Sequence, residues 1–323
     1  MFTRRQMTLA TAAGLAMPAV VRAQTWPSRP VTMVVPWAAG GGADTVTRIF
    51  ASGFEKELGQ PVNVVNRTGG NGVVGHAAIA TARPDGYTLG TGTSEFVNFK
   101  PLGQSTIGPD SFDLLSRIAS IPAGVTVKAD GPWKDFAAFV AGVKAAPKGE
   151  LTGSGVSTGG SWHLAAAGMT RTLGLGVDHI RWVPSQGGAP ALQDMVAGGI
   201  SLFTGSPVEA KALVDAGQVK VIGVMANARM DMYPDAPTLK EAGVDWVFEN
   251  WFSLVAPPRL PAAVRTRILE AAGKAHQSAG VRDLMRARGI VPIWETPESF
   301  KAFAASYAQT ASSLLGELGL VRG

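Results

Sequence analysis

Short apolar, β-branched runs alternate with stretches of helical character along most of the chain. Val31–Val35 carries one polar residue among four apolar ones, the pattern of a strand buried on both faces. A helix is expected from about Asp44 to Leu58, a strand at Val62–Val65 and a helix around Val73–Ala82. Tyr87–Gly90 is a third strand, opened by the turn Pro84-Asp85-Gly86. The pattern is then less regular as far as Ile121. Val125–Lys128 reads as strand, and Trp133–Ala145 as a helix stopped by Pro147 and Gly149. Leu151–Gly153, Ile180–Val183, Leu202–Thr204 and Val219–Met225 are further strands, with helices over Trp162–Leu173, Ala189–Ala197 and Val208–Ala216. Helices return at Ala262–Gly280, Val281–Arg288 and Pro297–Leu318. This alternation predicts an α/β fold with mostly parallel sheets.

The polar, glycine-rich positions fall where strands would enter helices. Three loops stand out: Pro36-Trp37-Ala38-Ala39-Gly40-Gly41-Gly42-Ala43-Asp44, Gly153-Ser154-Gly155-Val156-Ser157-Thr158-Gly159-Gly160-Ser161, and Pro184-Ser185-Gln186-Gly187-Gly188-Ala189-Pro190. Glycine lets backbone N–H groups turn toward a ligand with no side chain in the way. The first turn of a helix leaves N–H donors unpaired and carries partial positive charge, so loop and helix start together make an anion seat. In parallel sheets these loops lie on the ligand side. Any one of them is equally an ordinary turn; three together favour one anionic molecule gripped from several sides.

Composition and the chain ends narrow the class. MFTRRQMTLATAAGLAMPAVVRAQ has twin arginines, Arg4 and Arg5, no acid, an apolar stretch over Met7 to Val21, and the ending Val21-Arg22-Ala23, with small residues at the positions a signal peptidase reads. That reads as a cleaved signal peptide of residues 1–23, by the twin-arginine route or the general secretory one, and places the protein in the periplasm. Removing it takes three arginines from 29 basic residues and leaves 26 against 24 acidic ones. No basic cluster with interleaved aromatics is present, so nucleic acid is not an expected partner. With no cysteine there is no disulfide, thiolate metal site or cysteine nucleophile.

Two motifs compete with the anion-seat reading. Gly70-Asn71-Gly72-Val73-Val74-Gly75 fits the dinucleotide pattern G-x-G-x-x-G, but follows the second strand, and the acid at Glu95 falls beyond the third; tight helix–strand packing accounts for it better. Gly155-Val156-Ser157-Thr158-Gly159 fits the serine-hydrolase elbow, with His163 nearby. A triad histidine should come late in the chain, and His276 lies within an apparent helix. A secreted serine hydrolase using Ser157 remains the alternative function. His76, His163, His179 and His276 lack metal-ligand spacing, so neither metal nor cofactor is expected.

From Trp26 to about Phe303 the sequence resembles a known family. WPSRPVTMVVPWAAGGGADTVTR, LGQPVNVVNRTGGNGVVG, PDGYTL, HLAAAG, VPSQGGAPALQDMVAGG, PDAPTLKEAG and WFSLVAPPRLP follow in that order. Together they resemble the extracytoplasmic solute-binding proteins of tripartite tricarboxylate transporters, the Bug receptor family. The resemblance implies a two-domain periplasmic-binding-protein (Venus flytrap) fold with a hinge of two crossing strands. It implies a receptor, not an enzyme, that holds a small carboxylate and passes it to membrane transporter subunits, working as a monomer. The crossings are expected near Val125–Lys128 and Val219–Asn227, giving domains of 24–125 plus 227–323 and of 126–226. Carried over residue by residue, it implies contacts from Trp37, Gly40, Gly41 and Asp44, from Thr93 and Ser94, from Gly155, Ser157 and Ser161, and from Ser185, Gln186, Gly187 and Ala189. The glycines of the first loop would bare amides for the carboxylate. Asp44 either caps its helix or meets a ligand amine or hydroxyl, and Trp37 either stacks on the ligand or walls the cleft.

The chain departs from the family pattern at four places. Ser185 and Gln186 stand where an aromatic and a cation are common, and Gly168 and Gly205 where acids are. A cleft that has lost a cation and an acid suggests a bulkier or less charged ligand, an aromatic monocarboxylate rather than citrate, within a ligand class of aliphatic di- or tricarboxylates and aromatic carboxylates.

Overall fold

The computed structural model describes residues 26–322, so the expected signal peptide lies outside the described residues. The elements are β1 (Val31–Val35), α1 (Gly42–Leu58), β2 (Val62–Asn66), α2 (Val73–Ala80), β3 (Thr88–Thr93), β4 (Asp113–Pro122), β5 (Gly124–Lys128) and α3 (Phe136–Ala145). Then come β6 (Thr152–Ser154), α4 (Ser161–Thr172), β7 (Arg181–Trp182), α5 (Gly188–Ala197), β8 (Leu202–Phe203), α6 (Lys211–Asp215) and β9 (Val219–Val224). The chain closes with β10 (Glu249–Ala256), α7 (Ala262–Gln277), α8 (Ala279–Arg286), β11 (Val291–Pro292) and α9 (Pro297–Glu317).

Two sheets result. One has the order β11-β4-β10-β3-β1-β2, the other β7-β6-β8-β5-β9. Pairing is parallel where helices cross over, β1 with β2 and β3, and β6 with β7 and β8. It is antiparallel where β4, β10, β5 and β9 join. The sheets are therefore mixed, and less parallel than the alternation predicts, because strands next to the chain crossings enter from the opposite direction. The first crossing is Pro122-Ala123-Gly124, earlier than expected, and the second runs from 225 to 248. Backbone bonds lace them together: Ala123 N donates to Phe248 O at 2.9 Å, Met225 N to Ala123 O at 2.8 Å, and Phe248 N to Met225 O at 2.9 Å.

The irregular section before Ile121 contains β4, ten residues long, and β10 was likewise not expected as a strand. Polar residues break the apolar pattern in both, and some of them find partners far along the chain. Ser116 Oγ donates to Glu295 O at 2.8 Å, and Arg117 pairs with Glu249 and with Glu295. One apolar cluster runs between the two sheets, including Val34, Phe96 and Phe300 on the side of the first and Val125, Leu164 and Leu202 on the side of the second, and a separate cluster packs α1 and α7 against the first sheet. Gly75 packs its helix onto β1, since a Cβ there would lie 2.6 Å from both the Arg67 carbonyl and the Pro36 side chain. That is the packing role expected for the G-x-G-x-x-G stretch.

Candidate ligand-binding cleft

Parallel pairing sends the loops after β1 and β3 from one edge of the first sheet, and those after β6, β7 and β8 from one edge of the second. Two hydrogen bonds join these edges. Ser157 Oγ donates to Asn71 Oδ1 at 3.3 Å, and Ser161 Oγ to Glu95 Oε1 at 3.0 Å.

In the β1–α1 loop Asp44 does not cap its own helix. The N-cap is Gly41, with no side-chain cap. Asp44 is 3% exposed and accepts from Gly40 N at 2.9 Å, Arg48 Nε at 3.0 Å and Asn66 Nδ2 at 2.8 Å. Burial pushes its pKa up, but these hydrogen bonds outweigh it and hold the carboxyl below its ordinary value. Gly40, at φ +81°, thus gives its N–H to Asp44 and shapes the loop. The amides left without an intrahelical acceptor at this helix start are those of Gly42, Ala43 and Asp44, the first two of which the sequence reading did not single out. Trp37 is half-buried. Its Nε1 donates to Thr93 Oγ1 at 3.2 Å, and its ring lies against Gly72.

Thr93 and Ser94 are buried, with their polar groups committed. Thr93 N donates to His76 Nε2 at 3.2 Å and Ser94 Oγ to Asn250 Oδ1 at 2.6 Å. The His76 ring donates from Nδ1 to Gly72 O at 2.8 Å, which makes it the neutral Nδ1–H tautomer. Burial lowers its pKa to about 4.

In the second sheet Gly160 is the N-cap of α4 and Gly187 that of α5, and neither helix has a side-chain cap. Gly155 is buried against Trp162. Ser157 is half-buried and turns the loop by accepting from Gly160 N at 3.1 Å. Ser161 is buried. Ser185 Oγ donates to Gly187 O at 2.9 Å, while its N–H donates to Val156 O at 3.2 Å and ties the second and third loops together. Gln186 and Ala189 are exposed at the start of α5. Gly205 is buried beside the first crossing, its carbonyl accepting from Gly124 N at 3.0 Å. A Cβ there would enter the Phe203 ring, and one at Gly168 would enter the Trp246 ring. Both glycines make room for aromatic rings.

The structure also brings acids that the sequence reading did not place. Glu95 is 7% exposed, and its Oε2 has no partner among the described residues. Glu209, in the β8–α6 loop, lies over the start of α5, where a Cβ on Gly188 would sit 2.6 Å from its Cδ. Nothing local marks either residue; only the fold carries them to helix starts. The hydrolase alternative fails on geometry. Ser157 bonds Asn71, His163 accepts from Gly159 N at 2.9 Å and stacks on Trp182 at 4.7 Å, and His276 faces Ile118 O at 2.8 Å inside the first sheet's packing.

Residues 46–320 match the family described as the tripartite tricarboxylate transporter family receptor. The chain belongs to this family. A relative in Agrobacterium vitis, from the TAR-I ttuE-ttuC' intergenic region, is 32% identical over 312 residues, covering 94% of this chain and 88% of the relative. The solved ligand-free TctC solute-binding protein from Polaromonas is 29% identical, with a TM-score of 0.75 over 91% of this chain and all of that one. An R. palustris protein solved with adipate is 26% identical, with a TM-score of 0.79 over 92% of this chain and 99% of that one. The chain thus has the two-domain periplasmic-binding-protein fold and is a solute-binding receptor, not an enzyme. Members of this family are periplasmic solute-binding proteins.

Proposed function

We propose that this receptor is exported with loss of residues 1–23, captures a small organic carboxylate between its two domains, and presents it as a monomer to the membrane subunits of a tripartite transporter. The observation that supports the reading is that three helices starting at the loop edges have glycine N-caps. α1, α4 and α5 begin at the loop edges with glycine N-caps and no capping side chain. Of the other helices, α3, α8 and α9 are capped by Asp135, Ser278 and Thr296, while α2, α6 and α7 follow Gly72, Ala210 and Pro261 with no side-chain cap. Amides left unpaired beside the cleft suit an anionic ligand. The adipate held by the R. palustris relative supports the carboxylate class.

Residues 24–125 with 227–323 form one domain in this reading and 126–226 the other, moved only slightly by a first crossing at Ala123. Bonds to a charged ligand contribute about 1.5–3 kcal/mol each. Three or four suffice for micromolar affinity, about −8 kcal/mol. Calorimetric titration of cargo-free protein with aliphatic and aromatic mono-, di- and tricarboxylates tests this. The expected result is one-to-one binding of at least one acid at micromolar Kd or tighter; a folded protein silent to every acid overturns the reading.

A further inference from the structure

Each acid at the loop edges has a different environment. Asp44 is matched by Arg48, and Glu95 is buried and takes the Ser161 hydroxyl. Glu209 has neither arrangement. It sits in the loop after β8, on the same edge as the loops after β6 and β7, with its carboxyl against Gly188 at the uncapped start of α5. The residue as a whole is exposed to solvent. Protein nevertheless crowds the carboxyl and pushes its pKa up to about 7, a backbone hydrogen bond from Ser206 pulling the other way and no cation nearby to oppose the rise. The three glycine loops contain no lysine or arginine at all.

Resting on the carboxylate reading above, we propose that Glu209 is a specificity residue of the cleft and selects an acid that also carries an ammonium group. The ligand's carboxylate takes the free amides, and its cation takes Glu209. A second carboxylate at the far end of the ligand would meet the ionised form of Glu209 as a like charge, so the discrimination is expected to grow above pH 7. A zwitterion instead gives the partly dehydrated carboxylate the partner it lacks, and charged pairs of this kind gain from the reduced local dielectric.

The test is calorimetry of the cargo-free full mature chain with matched probes: glutamate, glutarate and 2-hydroxyglutarate, then 4-aminobutyrate and butyrate. Wild type is expected to prefer the amino acid over the plain acid by about tenfold or more in at least one set. Glu209→Gln should bring that ratio close to one while unfolding at an unchanged temperature. Gly188→Ala, which displaces the carboxyl without removing it, should lower the same ratio and keeps the test open if the first variant folds poorly. Equal or better binding of the plain or hydroxy acid overturns the inference and leaves the carboxylate reading standing, as does a ratio that survives in Glu209→Gln. Failure of every probe and of the wider acid panel removes both.

Discussion

Asp44 joins three separate segments through one buried carboxylate: the glycine loop at Gly40, its own helix at Arg48 and strand β2 at Asn66. Removing it leaves Asn66 Nδ2 and Gly40 N without that partner. Asp44→Ala should cost about 1–3 kcal/mol, read from urea unfolding midpoints. It should weaken acid binding as well, because the loop that presents Gly42 and Ala43 loses its clasp. Unchanged stability would place the clasp elsewhere. His76 and His163 make a second prediction. Burial lowers both from an ordinary 6.5 to about 4, so the folded chain holds them neutral. Between those values the unfolded chain binds protons that the folded chain refuses, so stability falls as pH drops from 6.5 toward 4 and this contribution flattens below. His163→Gln should make the unfolding midpoint less sensitive across that window.

At the scale of the element, a helix start can be capped by its own side chain or kept open for a ligand. Gly41 has extended φ and ψ, and a Cβ there would meet only Ala38 O, at an ordinary 3.5 Å. Gly41→Asp should therefore fit, cap α1 and raise stability by a few tenths of a kcal/mol, about what a good cap gains over glycine. The same substitution should cost about tenfold or more in acid affinity, because a resident carboxylate then holds the amides. Equal affinity in the variant would show that α1 takes no part. The loops of this site were legible because the requirement is local: bare backbone between an apolar strand and a helix. β4 and β10 were not, because Ser116 and Arg117 are made tolerable by partners such as Glu249 and Glu295, more than a hundred residues away. Glu209 escaped for the same reason, its meaning set by Gly188 across a fold that no short window contains. The packing role of Gly168 and Gly205 was equally hidden, because the rings of Trp246 and Phe203 that fill the space are placed by the fold.

The whole molecule is two sheets joined by laced crossings, with polar contacts closing the far side of the cleft. Asn71–Ser157 and Glu95–Ser161 both connect segments on opposite sides of the hinge. A ligand touching both sides favours this arrangement by the difference in its contacts between open and closed forms. Asn71→Ala removes one closing bond and should weaken ligand binding severalfold, about 1 kcal/mol, with little change in unfolding midpoint. An affinity equal to wild type would mean that this contact contributes nothing to closure.

The central claim is that unpaired amides at helix starts in both domains hold one small acid. Amide-resolved NMR of deuterated protein, titrated with the tightest acid from the calorimetric panel, tests it most directly. The account predicts that the largest shifts fall together on Gly42 and Ala43 at α1, Ser161 at α4 and Ala189 at α5, saturating at one equivalent. Shifts confined to one domain, or to the outer surface with these amides unmoved, would contradict it.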